Sequence, residues 1–301
     1  MRTLWEVAAR HVTLWALFFL PRERRKSLER RLRGREESRK LAQADVALVS
    51  WGKSGRTWLR LMLSRFYQVK YGLPEGSFLN FDNLNRRRSE IPRTFFTHGN
   101  YLRDYTGNWD NRGDFYRIPV VLLVRDPRDI AVSQYFQWKN RMLPRKKFLN
   151  DYPAHGEEVS IYDFVMKREV GLARVIEFFS LWSRELAHID RALVVRYEDL
   201  RTEPTEWLTR ILAFMGTPGS DREIEEAVSY ASYENMKALE RTGAFRGSGR
   251  RLVPGNRSNP DSYKVRRAVV GGYRDYFDDQ QIAEIDERVV KELPPRFGYS
   301  R

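Results

Sequence analysis

The sequence predicts an α/β protein with a central parallel sheet that is covered by helices on both faces. Short, uniformly apolar runs, of the kind found in buried parallel strands, occur at Val46–Ser50, Val120–Val124 and Ala192–Val195. Segments with apolar residues at helical spacing alternate with these runs, which is the pattern of strands joined by crossover helices. The chain has 301 residues and is 42% hydrophobic, so it is large enough to bury a substantial core.

The remaining elements follow from periodicity and from helix start and stop signals. A further short strand is expected at Thr94–Thr97. Helices are expected over Thr57–Val69, from Asp129 through Phe136, from Ser160 to about Leu186, from Pro204 to Gly216, and over Asp221–Arg241. Residues Arg246–Ser262 are rich in Gly, Arg, Ser, Pro and Asn and predict a long loop.

The composition limits the kinds of site and partner. The formal net charge is +14, so anionic partners are favoured. The chain contains no cysteine, which excludes disulfides and cysteine-based zinc sites and favours a reducing, cytoplasmic location. No nucleic-acid partner is expected. No stretch approaches the ~20 apolar residues that a membrane span needs.

The first 44 residues differ from the rest and are expected to form an N-terminal amphipathic and basic helical appendage, with the main domain at residues 45–301. Leu4, Ala8, Val12, Trp15 and Phe19 recur at nearly helical spacing, and residues 21–40 hold ten basic and four acidic side chains. Two interpretations remain open. One is an interfacial helix on an anionic membrane, which would place the protein peripherally on the inner face of a membrane; the other is packing on the protein's own surface.

The stretch from Val46 to Leu63, VALVSWGKSGRTWLRLML, predicts an anion-binding turn between a strand and a helix. Backbone N–H groups at such a turn point toward the anion, and the helix dipole adds to the attraction. Lys53 supplies a positive charge, and Gly52 and Gly55 let the backbone approach a ligand closely. A triphosphate-binding loop would place a glycine at position 47, where this chain has Ala47.

A second basic turn follows the strand Val120–Val124, where the sequence reads Arg125, Asp126, Pro127, Arg128. Asp126 lies between two arginines, so this strand end predicts another anion site and not a metal site. Two basic turns at two strand ends indicate a ligand with anionic groups at both ends, because the carboxyl ends of parallel strands share one edge of the sheet.

Four segments in order resemble the sulfotransferases that use 3′-phosphoadenosine 5′-phosphosulfate (PAPS). They are GKSGRTW, VRDPRDIAVSQY, RYEDLRTEP and KVRRAVVGGYRDYF. The resemblance extends from about Asp45 to Phe277. It implies PAPS as co-substrate, a P-loop-like turn for the 5′-phosphosulfate, and no metal ion.

The resemblance also assigns site residues. Those for the 5′-phosphosulfate are Lys53, Ser54, Gly55, Arg56 and Thr57. Those for the adenine or ribose are Trp58, Tyr197 and Tyr233. Those for the 3′-phosphate are Arg125, Ser133, Arg266, Arg267 and the backbone amide of Ala268.

The catalytic residues that the resemblance implies are His98 as general base, within FFTHGN, and Lys53, which would neutralise the leaving phosphate. Two departures stand out. The family often has Lys where this chain has Phe96, so either Arg56 or Arg93 would serve instead, or transfer would be slower. Ala268 replaces a usual glycine, which is tolerable if its φ is negative.

The acceptor is expected to present a hydroxyl or an amine, on a small molecule, a glycan or a lipid. The segments Arg86–Arg88, Tyr101–Trp109 and Arg141–Lys147 are candidate walls of its site, since they are aromatic and basic. Two alternative functions remain: a P-loop kinase or NTP hydrolase, and a basic membrane-surface binder without catalysis.

Overall fold

The computed structural model describes residues 12–167, 169–245 and 250–300. Its sheet consists of β1 (Val46–Ser50), β2 (Thr94–Thr97), β3 (Val120–Val124) and β4 (Ala192–Arg196). The strand order is β2-β1-β3-β4, and every neighbouring pair is parallel. The predicted fold class is therefore confirmed, and the carboxyl ends of all four strands lie along one edge.

The helices used below are α1 (Arg22–Leu41), α2 (Arg56–Tyr71), α3 (Leu102–Thr106), α4 (Pro127–Asn140), α5 (Pro144–Leu149), α6 (Ile161–Met166), α7 (Leu172–Glu185), α8 (Tyr197–Thr202), α9 (Pro204–Phe214), α10 (Asp221–Tyr230), α11 (Tyr233–Thr242) and α12 (Asp279–Glu292). Short 3₁₀ turns occur at Gly113–Phe115, Leu186–His188, Arg250–Leu252, Pro260–Ser262, Gly272–Tyr276 and Pro295–Phe297.

Two apolar clusters cover the two faces of the sheet. Val46 and Leu48 point into the cluster formed with α2, α9 and α10, while Ala47 and Val49 point into the cluster formed with α4, α7 and α12. Successive strand residues thus alternate between two cores, which explains why the strands show uninterrupted apolar runs in the sequence.

Two predicted helices are each divided in the structure, so both predictions were wrong in extent. The segment from Ser160 to Leu186 breaks between α6 and α7, where a Cβ on Gly171 would lie 2.1 Å from the carbonyl oxygen of Val165. The segment from Asp221 to Arg241 breaks before α11, because the Ser232 side chain caps the new helix by accepting the Asn235 N–H. Of the predicted Arg246–Ser262 loop, residues 246–249 lie outside the described part.

Helix α1 packs against the main body through both polar and close backbone contacts. Arg30 donates to the Asp104 carboxylate and to the Leu149 carbonyl, at 3.2 and 2.9 Å. A Cβ on Gly34 would lie 2.1 Å from the Tyr101 carbonyl oxygen, so only glycine permits this approach of α1 to α3. The basic helix is therefore held in a fixed position beside the sheet, while the division of the chain at residue 44 stays a prediction.

The segment that precedes α1 exposes large apolar side chains. Residues 12–16 are helical, and Trp15 is 78% exposed, with Phe18 and Phe19 similarly open to solvent. The predicted positions Leu4 and Ala8 lie outside the described residues. Within the described part of the chain, no helix combines the length and apolar character that crossing a bilayer requires.

We predict that Gly34→Ala destabilises the protein even though alanine favours helix by about 1 kcal/mol. The added methyl group forces α1 away from Tyr101, and overpacking of this kind typically costs about 1–3 kcal/mol. Denaturant unfolding measures the change, with Arg31→Ala on the exposed side of the same helix as control. An increase in the free energy of unfolding for Gly34→Ala would contradict the described packing of α1.

Candidate active site

A cavity of about 500 Å³ lies at the carboxyl edge of the sheet, within the size range of small-molecule sites. All of the predicted site residues except Ser54 line it: Lys53, Gly55, Arg56, Thr57, Trp58, His98, Arg125, Ser133, Tyr197, Tyr233, Arg266, Arg267 and Ala268. Ser54 is buried behind the turn, and its Oγ has no hydrogen-bond partner among the described residues. Sequence reasoning thus selected residues that the fold brings together.

The turn after β1 has an unusual backbone. Lys53 has a φ of 74°, a left-handed conformation that is uncommon outside glycine, and Gly55 has a φ of 90° immediately before α2. A Cβ on Gly55 would lie 2.5 Å from the Tyr197 ring, so glycine is required by conformation and by space. Tyr197, at the start of α8, therefore seals the back of this turn.

Arg125 connects the second basic turn to the first. Its Nη1 donates to the Lys53 carbonyl at 3.3 Å, its Nη2 donates to Asp129 at 3.1 Å, and its guanidinium lies 4.4 Å from the centre of the Tyr197 ring. Asp126 instead caps α4 by accepting the Arg128 N–H, and its carboxylate pairs with the Arg128 guanidinium. The two strand ends thus form one continuous cationic wall.

Buried carboxylates anchor the segment 264–273, called the late loop below, over the cavity. Glu240 is fully buried and accepts the backbone N–H groups of Lys264 and Val265, at 2.7 and 2.9 Å, together with the Arg141 guanidinium at 2.8 Å. Asp129 accepts the N–H groups of Gly271 and Tyr273. These bonds hold the segment 264–273 at the rim.

Within this segment, Ala268 has a φ of 54°, so the condition that its φ be negative is not met. A left-handed alanine costs roughly 1–2 kcal/mol, yet the backbone takes the turn that glycine would allow without strain. Arg266 stacks on Phe136 at 3.7 Å and hydrogen-bonds the Tyr276 hydroxyl, and its own carbonyl accepts the Tyr233 hydroxyl at 3.0 Å.

Trp58 and Tyr233 lie on the apolar side of the cavity. The indole Nε1 donates to the Ala231 carbonyl at 2.9 Å, which fixes the Trp58 ring against the break between α10 and α11. The ring centroids of Trp58 and Tyr197 are 5.9 Å apart and nearly perpendicular. This aromatic surface is suited to a planar base.

His98 follows β2 and faces the first turn. Its Nδ1 lies 2.6 Å from the Ser50 carbonyl, which can only accept, so Nδ1 carries the proton and Nε2 has the free lone pair. Arg56 Nη2 donates to that lone pair at 2.6 Å. Burial, followed by the Arg56 charge, holds the pKa of His98 well below its usual value. The ring is therefore neutral at pH 7, with its basic nitrogen directed at Arg56.

The structure distinguishes the cations proposed to replace the family lysine at Phe96. Arg93 pairs with Asp45 at 2.8 Å at the opposite end of the strands, so its expected role was wrong. Arg56 is in contact with His98. The Phe96 ring itself is covered by the buried Arg60 guanidinium, 3.6 Å from the ring centre.

Sequence reasoning missed Lys264, which lines the same cavity. Burial and the nearby charges of Lys53, Arg141 and Arg56 hold the pKa of Lys264 well below its usual value. Burial, with Arg141 and Arg125 nearby, lowers the pKa of Lys53 to about 7. Crowded cations in an enclosed site suppress one another's charge until an anion binds.

The rest of the cavity has a polar and basic wall that comes partly from α1. It is lined by Arg30, Glu37, Asn100, Tyr101, Arg103, Met142, Lys146, Asn150, Tyr152 and Arg174. Two of the three segments expected near the acceptor, Tyr101–Trp109 and Arg141–Lys147, thus contribute. Arg86–Arg88 does not contribute, and its Arg86 pairs with Asp82. Glu37 had no sequence signal that separated it from the other charges of α1.

A family model described as the sulfotransferase domain matches residues 115–294, more than half of the chain. The chain belongs to the sulfotransferase family. This sulfotransferase is 24% identical over 256 residues to mouse sulfotransferase 6B1, an alignment that covers 81% of this chain and 74% of the relative. It is 25% identical over 277 residues to Arabidopsis thaliana cytosolic sulfotransferase 13, in an alignment that covers 83% of this chain and 77% of the relative.

Solved structures show the same fold. Mouse sulfotransferase SULT7A1, complexed with PAP, aligns with this sulfotransferase at a TM-score of 0.54 and 20% identity, covering 84% of each chain. Retinol dehydratase in a complex with retinol and PAP aligns at 0.54 and 18% identity, covering 83% of this chain and 82% of that one.

Proposed function

We propose that this sulfotransferase transfers the sulfuryl group of PAPS to a hydroxyl of an anionic, hydroxyl-rich acceptor such as a glycan, with His98 as general base. The observation that carries the proposal is the junction of the two basic turns, where Arg125 contacts the Lys53 carbonyl at 3.3 Å inside one cavity. A nucleotide with phosphates at its 3′ and 5′ positions can touch both turns at once. Both solved structures are complexes with PAP, 3′-phosphoadenosine 5′-phosphate, which supports this donor.

The residues present fit the donor. The N–H groups at the start of α2, with Lys53 and Thr57, face the 5′-phosphosulfate, while Arg125, Ser133 and the late loop face the 3′-phosphate. Trp58 and Tyr233 supply the aromatic surface for adenine. Arg125 Nε is buried without a hydrogen-bond partner among the described residues, so a donor for a further anionic oxygen remains open.

His98 Nε2 removes the proton of the acceptor hydroxyl as its oxygen attacks sulfur and the bond from sulfur to the 5′-phosphate oxygen breaks. Arg56 Nη2 occupies His98 Nε2 in the free protein, so this one hydrogen bond must be released before proton transfer. Lys53 neutralises the charge that develops on the departing phosphate oxygen. The low pKa of His98 keeps the ring unprotonated, as a base requires.

The charge of the remaining cavity wall supports the proposed class of acceptor. Arg103, Lys146 and Arg174 line it beside Asn100 and Asn150, which offer hydrogen bonds to hydroxyl groups. A cationic and amide-lined surface favours an acceptor that carries both a negative charge and several hydroxyls. The Arabidopsis relative is a cytosolic sulfotransferase, which supports a cytoplasmic location for this protein.

We predict that PAP binds more tightly than ATP, and that Lys53→Ala and Arg125→Ala each weaken PAP binding about tenfold or more, because each removes a charge-assisted hydrogen bond.

His98→Ala leaves PAP affinity unchanged and lowers turnover by about 10²-fold or more. Calorimetry measures the affinities. Release of PAP from PAPS with methyl β-D-glucuronide as acceptor measures turnover.

The matched control is Arg117→Ala, which removes an exposed arginine from the main domain. Preference for ATP over PAP would overturn the donor assignment and favour the kinase alternative. Full turnover of His98→Ala would overturn the base assignment alone.

We also infer that residues 12–40 attach the protein to anionic membrane surfaces. The exposed Trp15, Phe18 and Phe19 lie next to α1, whose outer side exposes Arg22, Arg24, Arg31, Arg35 and Arg39. Exposed aromatics beside a basic surface are the features by which interfacial helices bind anionic lipids.

We predict that the protein sediments with vesicles that contain phosphatidylserine and not with pure phosphatidylcholine vesicles. Replacing Trp15, Phe18 and Phe19 together by serine lowers the bound fraction about tenfold, since the buried apolar area is lost. Trp109→Ser, another exposed aromatic, is the control. Equal binding by the triple variant and the wild-type protein would contradict the inference.

A further inference from the structure

Two buried polar atoms in the cavity have no partner, and they differ in hydrogen-bonding character. Glu37 Oε2 and Arg56 Nη1 are each buried without a hydrogen bond among the described residues, and both side chains line the cavity. A carboxylate oxygen accepts and a guanidinium N–H donates. Since both remain unpaired, they do not bond each other, and a group that both donates and accepts could bond to each of them.

The Glu37 side chain is held in place from outside the cavity. The backbone N–H of Leu102 favours its ionised form, and α1 is fixed against α3 by the close approach of Gly34 to Tyr101. The charges of Arg56, Lys40 and Lys146 act on the carboxyl, yet burial raises the pKa of Glu37 to about 7. Ionising this carboxyl is costly because it is buried and its Oε2 has no hydrogen-bond partner among the described residues.

Arg56 connects this pair of unpaired atoms to His98, the proposed base. The second terminal nitrogen of Arg56, Nη2, contacts His98 Nε2 at 2.6 Å. A ligand group that accepts from Arg56 Nη1 would therefore lie near His98, and so near the hydroxyl that we propose His98 deprotonates.

We propose that Glu37 and Arg56 form an acceptor subsite that binds a hydroxyl neighbouring the one to be sulfated, which donates to Glu37 Oε2 and accepts from Arg56 Nη1. The subsite rests on the proposed function, and it narrows the acceptor to molecules with adjacent hydroxyls, such as uronate-bearing sugars. It makes α1, which precedes the sheet in the chain, part of the substrate-binding machinery.

The test uses two anionic probes and the full-length protein saturated with PAP. Methyl β-D-glucuronide carries a carboxylate and adjacent hydroxyls, whereas cyclohexanecarboxylate carries the same charge and none. Saturation-transfer NMR titrations give the affinity of each probe. Glu37→Met removes both acceptor oxygens at similar volume, Glu37→Gln retains one, and Glu23→Gln on the exposed end of the same helix is the control.

We expect Glu37→Met to weaken glucuronide binding about tenfold, the effect of losing a hydrogen bond to a charged group. Glu37→Gln should lose less, Glu23→Gln nothing, and none should change cyclohexanecarboxylate binding. Undiminished glucuronide binding by Glu37→Met, or no glucuronide binding by the wild-type protein, overturns the subsite. PAP affinity, measured first on each variant, reports the donor site separately, so failure to bind PAP identifies failure of the proposed function instead.

Discussion

The crowding of buried cations at the carboxyl edge of the sheet is the constraint on which the rest of the site depends. Lys53 and Lys264 lie among other cations in an enclosed volume, and burial, together with those neighbouring charges, lowers the pKa of both lysines. Burying like charges is costly, so the fold must hold them together by other means. A ligand with two phosphate groups supplies the compensating charge, and selectivity for such an anion follows from the same crowding.

Carboxylates and backbone geometry hold the buried cations together. Glu240 fastens the late loop and Arg141 together from within the core, and Asp129 fastens Arg125 and the N–H groups of Gly271 and Tyr273. Because the strands are parallel, the residues that follow each strand lie at the same carboxyl edge of the sheet. Helix α1 then closes one side of the cavity with Arg30 and Glu37. The positive φ of Lys53 shows that the turn accepts backbone strain to aim its groups at the cavity.

The strands and the two basic turns could be predicted because their signals are local, whereas the other site residues were assigned through the family resemblance. Uniform apolar runs mark strands buried on both faces, and the basic turns follow directly in the sequence. The helix break at Gly171 was missed because it depends on tertiary packing, in which the backbone at Gly171 lies too close to the carbonyl six residues earlier for any side chain. The positive φ of Ala268 was missed because it depends on how the late loop is anchored. Lys264 and Glu37 resemble ordinary surface charges in the sequence. Only tertiary packing brings them into the cavity.

The number of protons taken up when PAP binds at about pH 8 tests whether the ligand's phosphates compensate the crowded cations. At this pH the phosphates are fully ionised and free Lys53 is largely neutral. Calorimetry in buffers of different ionisation enthalpy gives this number. Since the negative charge of the bound phosphates raises the lysine pKa values, we expect net proton uptake and an affinity that falls as pH rises above 7. We expect a smaller uptake for Lys53→Arg. Binding without proton uptake and with pH-independent affinity would contradict it.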